Sequence, residues 1–146
     1  MERWKGKPLE LPIDFGSLSR LDLVFEGMRR DEGTFTAYVF LNAPRLRADA
    51  GRDHPRFAAA FTLFAHEQCW GDEGHCDWKR EPVSPFDMRP EHDVTPTAVT
   101  LDVTDAIRRL GNPDQLTVTV HATKLADPKE TQGIVRFERL TAVAYR

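Results

Sequence analysis

Short stretches of alternating apolar and polar residues recur along most of the chain. In "RLDLVFEG" (20–27) Leu21, Leu23 and Phe25 alternate with Asp22, Val24 and Glu26, the period of a half-buried strand. "TFTAYVFL" (34–41) repeats the pattern, with Phe35, Ala37, Val39 and Leu41 on one face and Thr36, Tyr38 and Phe40 on the other. The turn signal "DEG" (31–33) between them predicts a hairpin. Residues 42–56, "NAPRLRADAGRDHPR", read as an exposed loop. "FAAAFTLFA" (57–65) places Phe57, Ala59, Phe61 and Leu63 on one face, and its aromatic content predicts a strand buried on both sides.

Residues 67–96 hold four prolines and no clear period, so they read as a long connecting loop. Beyond it, "AVTLDV" (98–103) is a strand and "TDAIRRLGN" (104–112) a short helix. Thr104 is its expected N-cap, Arg108 and Arg109 fall in its last turn, and Gly111 is its stop. "QLTVTVHA" (115–122) points Leu116, Val118 and Val120 inward and Thr117, Thr119 and His121 outward. "IVRFERLTAVAY" (134–145) ends the series, its alternation slipping near Arg139 as at a bulge. The set predicts an all-β fold: one antiparallel sandwich of jelly-roll or Greek-key type spanning 1–146, with one short helix and a lead-in segment at 1–19.

The bulk properties narrow the function classes. At 146 residues, 40% hydrophobic and 29% charged, the chain can bury a core without staples. A net charge of −3 gives no reason to expect nucleic acid or an anionic membrane surface as partner. No apolar run approaches the roughly 18 residues that span a bilayer, and the first fifteen residues lack the apolar stretch of a secretory signal. The expectation is therefore a cytoplasmic protein with reduced thiols.

Candidate chemistry concentrates in "AHEQCWGDEGHCDW" (65–78), which holds both cysteines and two of the five histidines. His66, Cys69, His75 and Cys76 supply two imidazoles and two thiols, enough for a tetrahedral shell that favours Cu(I) or zinc. The spacing matches no standard zinc finger. A Cys69–Cys76 disulfide would close the same loop, and simple packing is a third reading; all three stay open on the residues alone. The small-metalloenzyme version would use these four side chains around one ion. Trp70, Trp78 and Phe86 lie in the same connection and are candidate partner anchors. The arginines at 45, 47, 52 and 56 could meet an acidic partner, although a solvated loop explains them as well. Asp102 and Asp105 read as helix-terminus electrostatics. No nucleophile elbow, phosphate-binding loop, H-E-x-x-H or dinucleotide fingerprint is present, so no catalytic residue is assigned.

The ordered set "KPLELPIDF" (7–15), "LDLVFEGM" (21–28), "FTAYVFLN" (35–42), "FAAAFTLFAH" (57–66), "VTLDVTDAIRRLG" (99–111), "LTVTVHA" (116–122) and "GIVRFERLTAV" (133–143) resembles a known domain type. It is similar to the C-terminal β-sandwich (KFDV-type) of plant polyphenol oxidases, and to the related sandwiches of molluscan haemocyanins and bacterial tyrosinase-family proteins. "HEQCWGDEGHC" resembles a Gly-rich His/Cys stretch of the bacterial members. The resemblance implies a non-catalytic sandwich that covers the entrance of a helical bundle holding two copper ions, and an aromatic side chain can plug that entrance. The copper-binding bundle is missing from this chain. The implied partner is thus a tyrosinase-like copper enzyme in trans, or a catalytic domain absent here, and the implied role is shield, assembly partner or copper donor.

Overall fold

A computed structural model describes residues 2–7, 9–10, 18–29, 33–64, 86, 97–111, 113, 115–125 and 134–146. In chain order its elements are β1 (Glu2–Lys5), β2 (Leu9–Glu10), β3 (Arg20–Met28), β4 (Phe35–Leu41), β5 (Phe57–Leu63) and β6 (Thr97–Asp102). They continue with α1 (Thr104–Arg109), β7 (Gln115–Leu116), β8 (Val118–Lys124) and β9 (Arg139–Tyr145). A four-stranded sheet runs β1-β8-β4-β5 and a three-stranded sheet runs β6-β3-β9, while β2 and β7 form a small ladder of their own. Every described pairing is antiparallel. The fold is the all-β sandwich that the alternation predicts.

The core lies between the two sheets. Leu21, Leu23 and Phe25 from β3 and Leu101 from β6 face Phe35, Ala37, Val39 and Leu41 from β4 and Val118, Val120 and Ala122 from β8. Phe25 carries the contact from one sheet to the other, with its ring centroid 5.8 Å from Phe61 on β5 and 5.1 Å from Phe137. Offset and edge-on ring pairs at these distances add to plain area burial.

Several expectations need correction. β3 and β4 are not a hairpin: β3 pairs with β6 and β9, whereas β4 pairs with β5 and β8 in the opposite sheet. The turn signal at 31–33 thus marks a crossing between sheets. β5 is not buried on both faces; it is an edge strand, half-buried except for the exposed Thr62 and the buried Leu63, and it stops there with Phe64 exposed. A register shift between Val39 and Phe40 sets Phe57 opposite Phe40, so Phe57 turns to the outer face instead of joining Ala59 and Phe61. The lead-in segment contributes two short strands, β1 on β8 and β2 on β7.

The outer face of the four-stranded sheet is covered as well. Loop 42–56 folds back over it, burying Ala43, Leu46 and Ala50 around Phe40. That is why Thr119 and His121, expected outward and wet, are 0% and 1% exposed. The stretch 115–122 breaks into β7 and β8 at Thr117. There Asn42 accepts the Thr117 N–H at 2.7 Å and donates to the Gln115 carbonyl at 3.1 Å from a left-handed backbone (φ 47°), a conformation asparagine tolerates better than most residues. On the other sheet, the β3–β9 register runs without a shift from Tyr145 to Arg139, so the bulge expected there is absent from that ladder; the irregularity is on β3 at Gly27, where the β3–β6 register shifts between Phe25 and Met28.

Candidate functional site

His66, Cys69, Trp70, His75, Cys76 and Trp78 lie outside the described residues, as does His92. Phe86 is described and is 87% exposed. Among the described residues no three His, Cys, Asp or Glu side chains gather as metal ligands would. The two thiols and two imidazoles of the 65–78 stretch are chemically suited to Cu(I). The described histidines are His54 and His121. His54, within loop 42–56, and His121, on β8 beneath it, flank the Phe40 ring at 5.6 and 5.4 Å.

What the structure does describe is the place from which the stretch departs. β5 carries the chain to Phe64, and Leu63 pairs with Phe35 at the start of β4. On the other side of Phe35, Lys124 ends β8 and Leu125 follows, its N–H bonded to the Thr34 carbonyl at 2.9 Å. Phe64 is 74% exposed and Leu125 59%. Two large apolar side chains are thus presented to solvent at one end of the four-stranded sheet, a feature that alternation alone does not reveal.

The second concave feature lies at the other end of β5. There the edge strands of the two sheets meet α1 and loop 52–58, enclosing a groove of about 890 Å³. Arg20, Arg52, Arg108 and Arg109 line it, together with Asp102 and Asp105. Arg20 bonds the buried Asp22 at 2.7 Å and stands 3.8 Å from Asp102. Because Asp22 and Asp102 are directly opposed across β3 and β6, this guanidinium offsets a like-charge pair that would otherwise destabilise the sheet. Asp102 accepts the Thr104 hydroxyl at 2.5 Å and the Thr104 N–H at 2.9 Å. These bonds, the hydroxyl's first, hold its carboxyl below the ordinary aspartate range, with Arg20 and Arg108 adding to the effect. Thr104 is therefore not the N-cap: it is the first helical residue, Val103 occupies the cap position without a side-chain cap bond, and the Thr104 N–H is taken by Asp102 just before it.

No protein-family model matches the chain, and no curated protein matches it in sequence. Solved structures do match in fold. A recombinantly expressed latent aurone synthase, a polyphenol oxidase, superposes with a TM-score of 0.57 at 12% identity, over 98% of this chain and 24% of that one. The same kind of enzyme from natural source gives 0.56 at 11%, with the same coverage. The chain therefore has a fold found within polyphenol oxidase, in agreement with the expected resemblance, and spans about a quarter of the length of the proteins it matches.

Proposed function

We propose that this chain is a non-catalytic sandwich that docks on a type-3 copper enzyme, through the end of the four-stranded sheet that presents Phe64 and Leu125. The observation that supports the reading is the backbone correspondence with latent polyphenol oxidase over nearly the whole of this chain and only a quarter of that protein. Those enzymes are described as latent, the state that a covering sandwich would impose. Exposure of Phe64 and Leu125 supplies an apolar contact of the kind such a cover needs.

Co-expression with a tyrosinase-like copper enzyme, followed by size-exclusion chromatography and an oxidase assay, tests the reading. A stable complex with altered oxidase activity or copper content is expected, and Phe64→Asp with Leu125→Asp should weaken it. Absence of both a complex and any change in the enzyme would overturn the proposal.

In its finer form, the 65–78 stretch serves as the copper donor, with His66, Cys69, His75 and Cys76 as ligands. Titration of thiols alongside elemental analysis tests that form separately. Two reactive thiols with bound copper support donation. Two thiols without metal leave a cover that does not deliver copper, and no free thiol indicates a Cys69–Cys76 disulfide.

A further inference from the structure

We infer that the groove between α1, loop 52–58 and the start of β5 is a binding site for an acidic peptide segment with spaced Asp or Glu side chains. This inference is independent of the copper-enzyme reading, since it concerns the opposite end of β5 from Phe64.

The guanidinium groups are pre-positioned by contacts that leave donors over. Arg109 spends one N–H on the Phe57 carbonyl, at 2.9 Å, which ties α1 to β5. Arg52 lies over the Tyr38 ring, its guanidinium carbon 5.8 Å from the ring centroid. Arg108 reaches Asp105 only at 3.5 Å, at the limit of a hydrogen bond. A guanidinium offers five N–H donors in a fork that matches a carboxylate. Arg52, Arg108 and Arg109 therefore present carboxylate-binding groups from two different elements, while Arg20 is committed to the buried Asp22.

The ligand class follows from magnitudes and from the counter-charges. Arg108 is more than half exposed, and exposed ion pairs contribute only about 0–1 kcal/mol each and are screened by salt. A lone small anion would gain too little to stay. A ligand that meets several arginines at once gains from each without a new loss of translational freedom. Asp102 and Asp105 line the same groove, so they repel a compact polyanion such as phosphate and favour charges separated by neutral, hydrogen-bond-donating backbone. Pro55, Phe57, Ala58 and Ala106 add an apolar lining against which peptide backbone and methylenes can lie. The chain as a whole is negative, which makes a local arginine cluster the place where an acidic segment would settle.

A fluorescein-labelled (Glu-Gly)4 peptide titrated against the full chain by anisotropy tests this, with (Gln-Gly)4 and inorganic phosphate as comparators. Binding is expected at low salt, weakening about 10-fold or more between 20 and 200 mM salt. Arg52→Glu and Arg108→Glu should each weaken it at least ~5-fold. Arg47→Glu changes the net charge equally in the same loop but outside the groove, where Arg47 pairs with Asp49, and should leave binding unchanged. Both groove variants alter exposed side chains, so circular dichroism should match the parent; if one misfolds, the other decides. Absence of peptide binding at low salt overturns the inference. So does equal loss in Arg47→Glu, equal binding of the Gln peptide, or phosphate displacing the peptide at matching concentration.

Discussion

At Thr104 one hydroxyl joins distant parts of the chain: it accepts the N–H of Leu21, 83 residues earlier in sequence, at 2.9 Å and donates to Asp102. Thr104 is buried, so Thr104→Val keeps the shape and leaves the Leu21 N–H without its acceptor. A loss of about 1–3 kcal/mol is expected in urea unfolding, and an unchanged midpoint would refute the role. The partner carboxylate gives a pH signature. Asp102 is held below the ordinary aspartate value near 3.8 by the Thr104 bonds, so its stabilising effect is complete above that value and is lost as pH falls through the lower folded one. Wild type should lose stability progressively below about pH 4, and Asp102→Asn should show a flatter profile there; equal slopes would exclude Asp102 as the cause. The acidic helix start was legible in the sequence, but the capping residue was not. Local rules assign the cap to the nearest hydroxyl, and they cannot see that Leu21 claims the Thr104 oxygen from across the fold.

At the scale of elements, alternation identified the strands and their buried faces because a half-buried sheet imposes a period of two. Phe35, Ala37, Val39 and Leu41 are all fully buried, as read. What it could not identify is which strand pairs with which. Whether β3 and β4 pair or cross between sheets depends on β6, β8 and β9, tens of residues away, and a turn signal serves either connection. Bulges escape for a related reason. The shift that sets Phe57 opposite Phe40 leaves the local alternation looking intact. Gly27 is the exception that composition could flag, since an isolated glycine in a strand suggests a bulge. Its φ is +67°, and a Cβ placed there would lie 2.5 Å from Glu138 Cγ and 2.9 Å from Glu138 Cβ. Glu138 cannot move aside easily, because its N–H is bonded to the Glu26 carbonyl at 2.9 Å. Gly27→Ala should therefore cost at least the ~1–2 kcal/mol of a left-handed L-residue, read as a lower melting temperature. Adding Glu138→Gly should recover the steric part alone. Full recovery would mean that backbone strain at Gly27 is negligible.

For the molecule as a whole, the fold was legible and the proposed contact surfaces were only partly so. The sandwich is written in repeated local patterns, whereas the Phe64–Leu125 end and the arginine groove exist only once distant segments meet. Arg52 looked like its neighbours in a basic loop; it differs from Arg47 because loop 42–56 folds over the sheet and brings it beside α1. The same closure bears on whether the chain stands alone. It matches only a quarter of the polyphenol oxidases that share its fold, yet one continuous cluster joins both sheets and α1, with Phe25 touching Phe61 across the interface and Ile107 buried in the same core. No sheet can lose its partner without exposing that cluster, so unfolding should be all-or-none. Calorimetry of the isolated chain is expected to give one transition with equal van't Hoff and calorimetric enthalpies. Its heat-capacity increment should be on the order of 2 kcal/mol/K for a chain of this length. A transition split in two, or an increment of half that size with far-UV signal retained, would mean that the two sheets are held together only when the sandwich is seated on a larger partner.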